Sequence, residues 1–299
     1  MKRNSVILII GQSDIIKMAL FNHLKADGFT NVTVADSVVP EAKPEYIFLT
    51  EWVGGIQANI KYPAELLYNL ARLEFDVIDY AQKAGVKKLL FLGRSCIYPT
   101  DCPQPMKEEH LLSGKLDSST EPSAIATILG IKLCEFYNRQ YGTNYIVAIP
   151  TGVYGPNDDF ELETAHVLPA LIRRFHEAKV ASNPSVTIWG SGRPCREWLY
   201  VDDLVGALVF LMGNYNSSEM INIGVGEDLS IKDLAKVIAE IVGFKGDIIF
   251  DTSKPDGAPR KLLDNSKLAR LGWKPRVSLR EGIDRTYSYF CKEYLPARI

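Results

Sequence analysis

Leu89-Leu90-Phe91-Leu92-Gly93-Arg94-Ser95-Cys96-Ile97-Tyr98-Pro99 is the stretch that decides the fold. Its apolar run predicts a strand covered on both faces, because strands of buried parallel sheets are apolar throughout instead of alternating. The polar cluster after Gly93 then falls at the strand's carboxyl end, where open α/β sheets bind their ligands. Upstream, Val6 to Ile10 reads as a similar strand, followed by an amphipathic helical pattern from Asp14 to Lys25. Asn31–Ala35, Tyr46–Thr50 and Tyr145–Pro150 read as further strands; Ala64–Ala84 and Ser123–Tyr141 read as long helices. This alternation predicts an α/β fold, a Rossmann-like doubly wound parallel sheet over residues 1–150. Residues 151–299 read as a smaller α/β domain, with some C-terminal segments expected to pack back on the first. Its helices are predicted at 166–180, 201–212, 231–242 and 279–290, and its strands at 186–189, 221–225 and 248–250.

The chain has 299 residues, enough for a substantial core, and a net charge of −2. That charge gives no basis for nucleic-acid or anionic-membrane binding. No stretch approaches the ~20 apolar residues of a spanning helix. Five cysteines without regular spacing predict reduced thiols in a cytoplasm, with neither a disulfide framework nor a metal site.

The opening stretch and Glu121-Pro122-Ser123-Ala124-Ile125-Ala126-Thr127 together resemble the extended short-chain dehydrogenases, and most closely the GDP-L-fucose synthases. In that family the two stretches read Gly-Ser-Ser-Cys-Ile-Tyr-Pro and Glu-Pro-Tyr-Ala-Ile-Ala-Lys. The resemblance implies a redox Ser, Tyr and Lys where this chain carries Arg94, Ser123 and Thr127. A serine hydroxyl falls short of a phenol's reach, and Thr127 has no charge to lower a partner's pKa. The glycine-rich turn after the first strand normally admits a pyrophosphate. Here it reads Gly11-Gln12-Ser13-Asp14-Ile15-Ile16-Lys17, with one glycine, a carboxylate and a long cation. Asp14 also suits a helix cap. The link between residues 35 and 46 is short and carries two prolines, so the sheet is expected to have lost an element there. The expectation from these features is that no nicotinamide cofactor, NADP(H) included, binds.

The same resemblance implies an epimerisation pair at Cys96 and His166. Removing a proton beside a ketone needs a base on one face of the sugar and an acid on the other, and thiolate and imidazole suit those roles. Taken singly, a cysteine after a strand and a histidine opening a helix also serve as packing and polar filling. The resemblance further implies that Arg174, Trp189, Arg196, Asp256 and Lys261 hold a GDP-linked sugar. The cations fit a diphosphate. Alternatives are core packing for Trp189 and salt bridges for Arg196 and Lys261. Glu51 and Arg94 replace small residues at neighbouring strand ends. They are expected to pair beneath Trp52 and close the cofactor slot, with Arg94 free to stabilise an enolate or, alternatively, to face solvent.

The functional expectation is a cytoplasmic epimerase acting at C3 or C5 of a GDP-4-keto-sugar without a nicotinamide, reduction being left to a separate reductase or active relative. The alternative is a pseudoenzyme that binds a nucleotide sugar, and the third reading is a complete NADPH-dependent synthase. The two long helices, which relatives pair as a four-helix bundle, point to a homodimer.

Overall fold

The computed structural model describes residues 1–50, 56–254 and 256–298. In chain order the first half contains β1 (Ile7–Ile10), α1 (Asp14–Ala26), β2 (Val32–Ala35), β3 (Tyr46–Thr50), α2 (Ile56–Lys61), α3 (Pro63–Lys83), β4 (Lys88–Leu92), α4 (Glu121–Tyr141) and β5 (Tyr145–Pro150). The second half contains β6 (Gly152–Tyr154), α5 (Val167–Val180), β7 (Ser185–Trp189), β8 (Cys195–Arg196), β9 (Trp198–Tyr200), α6 (Val201–Asn214) and β10 (Ile221–Ile223). It continues with β11 (Leu229–Ser230), α7 (Ile231–Val242), β12 (Asp247–Asp251), β13 (Arg260–Lys261), α8 (Ser266–Arg270) and α9 (Leu279–Tyr289).

The main sheet has six strands in the order β10-β5-β4-β3-β1-β2, and all of its pairings are parallel. Alternate residues of each strand face opposite sides. Ile7, Ile9, Phe48, Leu90, Leu92 and Ile146 therefore pack with α1 and α6 in one core. Leu8, Ile10, Ile47, Leu89, Phe91 and Val147 pack with α3 and α4 in another. Two elements from beyond residue 150 thus complete this layer: α6 on one face and β10 at one edge. At the other edge β2 is the last strand among the described residues, and only a short 3-10 turn, Pro40–Ala42, occupies the link to β3. A third core, built on Phe175, Ile188, Leu234, Ile238, Ile283 and Phe290, supports the second half.

Two buried charges hold these layers together. Lys88, at the start of β4, is 4% exposed. Its ammonium donates to the carbonyls of Leu211, Met212 and Tyr215 and to Asn216 Oδ1. It thereby satisfies the orphan carbonyls at the C-terminus of α6 and complements that helix's dipole. Burial lowers its pKa to about 8. Glu197, between β8 and β9, is 2% exposed. Its Oε1 accepts the N–H groups of Val225 and Gly226 at 2.6 and 2.7 Å, and its Oε2 accepts Leu263 N–H at 3.0 Å. This capture ends β10 at Ile223, two residues short of the predicted strand, because those N–H groups leave the ladder.

Replacing Glu197 by Ala leaves three backbone donors without their acceptor. At about 1–3 kcal/mol for each orphaned group, Glu197→Ala should lose at least ~3 kcal/mol in denaturant titration. For Lys88 the folded pKa lies below the unfolded value of ~10.4, so the unfolded chain binds more protons between those two pH values. Wild-type stability should therefore rise from pH ~8 to ~10.4 relative to Lys88→Met, as paired denaturant titrations across that range would record.

Candidate functional site

The site lies at the carboxyl ends of β3, β4 and β5. At Gly11 the backbone has φ +146°, and a side chain there would put its Cβ 1.2 Å from Thr50 O, so only glycine lets the turn after β1 rest on β3. Gly93 is required for a different reason: a Cβ there would meet Ile149 Cδ1 at 2.6 Å and Thr127 Cγ2 at 2.8 Å. That contact brings α4 down onto the end of β4. On α4, the buried Ser123 hydroxyl donates to Asn59 Oδ1 on α2, and Thr127 Oγ1 donates to Ser123 O at 3.0 Å. Both hydroxyls are engaged in packing α4.

Arg94 leaves the strand end and turns toward α3. Its Nη2 lies 3.4 Å from Glu74 Oε1, and Glu74 is fully buried. The expected Glu51 partner and the Trp52 roof lie outside the described residues. Glu74 was not anticipated: it shares the buried face of α3 with Leu70, Val77 and Ile78, where the apolar pattern gives no sign of a charge or of its partner.

Cys96 lies on a 3-10 turn, Ser95–Ile97, fixed by the next residues. Tyr98 O–H donates to Asn222 Oδ1 on β10 at 2.5 Å, and Asn222 Nδ2 donates to Met106 O and Asp264 O. Burial pushes the Cys96 thiol above its ordinary pKa, while the charges of Arg94 and Lys261 pull it down and Asp117 adds to the rise. Burial also works to raise Asp117, but hydrogen bonds from Ser119 and the charges of Lys261 and Arg196 outweigh it, and the carboxyl stays below its usual range. Arg196 lies across Gly257, and β13 pairs with β8 so that Lys261 stands level with Arg196. The structure thus brings together Cys96, Arg94, Arg196, Lys261 and Asp117. Asp117, in a loop, was missed for lack of any periodic signal.

His166 is the N-cap residue of α5, which starts at Val167. Desolvation by the protein groups around this exposed side chain lowers its pKa, with the nearby Asp159 opposing. No hydrogen bond or ion pair joins it to Cys96 among the described residues. Arg174 Nη1 donates to Thr187 O, and Trp189 is 60% exposed with Lys254 Nζ 5.5 Å from its ring centroid. Trp189 is therefore a surface residue, which rules out core packing. Asp256 is exposed, its two oxygens accepting Ser191 N–H and Ser191 O–H at 2.8 and 2.6 Å. Its role here is to close the 190–192 turn.

Lys17 lies buried against Asp36 Oδ1 at 2.5 Å, with Asp14 Oδ1 at 3.5 Å. Its ammonium is thus held between the first residue of α1 and the residue that follows β2. Beside that turn is a cavity of about 250 Å³ with Gln12, Asp14, Asp158, Asp159, Glu161 and Tyr294 in its walls. Burial raises the Asp158 carboxyl to about 8. Burial favours the neutral acid at Asp158, so the repulsion a pyrophosphate would meet on this side comes from Asp14, Asp159 and Glu161. All five cysteines are free, and no helix among the described residues is long and apolar enough to cross a membrane.

Comparison with known proteins overturns two expectations. A family model described as the NAD dependent epimerase/dehydratase family matches residues 17–224. A probable GDP-L-fucose synthase 1 of Oryza sativa subsp. japonica is 44% identical over 98% of this chain and 94% of its own. The GDP-L-fucose synthase of Escherichia coli is 50% identical over 80% of this chain and 77% of its own. Among solved structures, a GDP-L-fucose synthetase from Naegleria fowleri bound to NADP superposes with TM-score 0.90 at 27% identity, over 100% of this chain and 96% of that one. Relatives this similar bear the name of the complete synthase, and one is solved with NADP. These findings correct both the expectation that no cofactor is used and the reading as a cofactor-free epimerase or pseudoenzyme. That reading rested on the departures at 94, 123 and 127 together with the one-glycine turn at 11–17 and the short link between residues 35 and 46, and the similarity spans nearly the whole chain despite them. With its Rossmann-like sheet, Cys-Ile-Tyr-Pro turn and end-to-end similarity, the chain belongs to the GDP-L-fucose synthase family of extended short-chain dehydrogenases.

Proposed function

We propose that this chain carries out the synthase reaction of its relatives on a GDP-4-keto-6-deoxy sugar: epimerisation at C3 and C5 followed by reduction at C4. The observation that carries the reading is the placement of Cys96 at the end of β4 beside Arg94, Lys261 and Asp117. In this reading Arg196 and Lys261 hold the sugar diphosphate, Trp189 lines the groove for the base, and Arg174 supports β7 beneath it. Cys96 takes the proton next to the ketone and His166 returns one from the opposite face. The charge of Arg94 favours the thiolate, and in this reading it would also stabilise the enolate that forms. NADP(H), the cofactor with which a relative is solved, would supply the hydride for the reduction. Exposed Tyr68 and Phe75 on α3 and Leu129 and Phe136 on α4 support a homodimer through these helices.

The reading is tested with purified protein, GDP-4-keto-6-deoxymannose and NADPH. NADPH should be consumed and a GDP-6-deoxyhexose formed; no consumption, with the substrate's C3 and C5 protons unexchanged in deuterium oxide, would overturn it. Cys96→Ser and His166→Asn should each slow that exchange by roughly 10²–10⁴-fold.

The pH profile follows from the two shifts. The productive form pairs a thiolate with an imidazolium, yet the thiol pKa is raised and the imidazole pKa lowered. Between the two values the fraction in that form is small and constant, because raising the pH makes thiolate as fast as it removes imidazolium. The exchange rate should therefore be flat across neutral pH. It should fall below the lowered imidazole pKa and above the raised thiol pKa, as a pH series of deuterium incorporation would record.

A further inference from the structure

Arg94 opens the turn that carries Cys96. Ile97 N–H donates to Arg94 O at 3.4 Å, so guanidinium and thiol branch from one short 3-10 turn. The Arg94 side chain, 15% exposed, then runs to α3, where its Nη2 lies 3.4 Å from Glu74 Oε1. Glu74 is fully buried. Its other oxygen, Oε2, lies beneath Gly130 of α4, and a Cβ at 130 would come within 2.7 Å of it. The two long helices therefore close directly over the carboxylate. Burying an ion pair often costs more in desolvation than it returns, and an apolar side chain of similar volume commonly packs as well. The pair therefore points to a task at the arginine's end.

We propose that Glu74 is a positioning residue for the chemistry at Cys96: it draws the Arg94 guanidinium onto α3 and sets how much of that cation's charge reaches the thiol. Lys261 of β13 also favours the thiolate, as Arg94 does, and Asp117, in the loop before α4, opposes it. Glu74 acts through Arg94, in two ways of opposite sign. It holds the cation near the root of the Cys96 turn, and its negative charge offsets part of that cation's field. An amide at 74 still accepts the guanidinium's hydrogen bond but leaves its charge uncompensated, which favours the thiolate. An apolar side chain at 74 offers no acceptor, so the guanidinium is released and the thiolate loses its support. The inference rests on the reading of Cys96 as the base and deepens it.

The test is alkylation of the intact protein by iodoacetamide over a pH series, without substrate, read at Cys96 by peptide mapping. Cys96 is half-buried, and the half-buried Cys291 serves as an internal reference. Glu74→Gln should move the Cys96 profile to lower pH by about half a pH unit or more. Glu74→Met should move it to higher pH, as Arg94→Gln does. In the Arg94→Gln background, Glu74→Gln should leave the profile in place. A profile that Glu74→Gln leaves unmoved or moves upward overturns the inference, and so does a downward move that survives in the Arg94→Gln background. Glu74→Met moving downward like Glu74→Gln would show that the guanidinium keeps its place without a carboxylate, which also overturns it. Glu74→Gln keeps the shape of the side chain and decides the matter alone if Glu74→Met fails to fold. Absent deuterium exchange with profiles that shift as expected would sink the synthase reading and leave the link from Glu74 to Cys96 standing. Exchange that proceeds with unshifted profiles would do the reverse.

Discussion

The carboxylate of Glu197 is the constraint on which the site depends. It takes three backbone N–H groups from two loops that are distant in sequence, 225–226 and 263. Its neighbour Arg196 lies in β8, and Leu263 follows Lys261 of β13 by two residues. Holding Leu263 therefore holds β13 against β8, which sets Lys261 level with Arg196 and within reach of the Cys96 thiol's charge. The loop at 224 is shaped to the carboxylate: a Cβ on Gly224 would sit 2.5 Å from Glu197 Oε1. Burial raises the pKa of Glu197, and the hydrogen bonds it accepts work against that rise. A carboxylate here thus does structural work that an apolar side chain of the same size does not, because the backbone donors around it have no other acceptor.

A second acid extends the same logic. Asp203, in the first turn of α6, accepts the N–H groups of Arg276 and Val277 with both oxygens. It ties the segment that leads into α9 to the sheet layer. The second half of the molecule is thus hung from carboxylates at either end of the run Glu197–Asp203, and the loops around Cys96 inherit their positions from that run.

Much of the fold was legible because the signals were periodic. β3, β5 and α7 have the bounds that apolar runs and helical spacing predict, since burial on both sheet faces or along one helix stripe writes itself into the sequence. The site was legible only in part. Cys96, Arg196 and Lys261 stand in motif contexts, and the structure brings them together. Glu74, Asp117, Glu197 and Asn222 carry no such context: each is a single polar residue whose partners are backbone groups or charges distant in the chain. The reading of function went astray because three substituted positions, a one-glycine turn and a short link outweighed the similarity of the rest of the chain.

Lys88 has a chemical consequence beyond its place in the fold. Enclosed by four acceptors at the end of α6, its amine is hidden from any reagent too large to enter the core. Acylating reagents that mark surface lysines reach it only in molecules where α6 has lifted from β4. The extent of labelling at this one residue, read by peptide mapping, therefore counts opening events in the native ensemble. The cation that anchors the helix also serves as a built-in clock for the separation of the two layers.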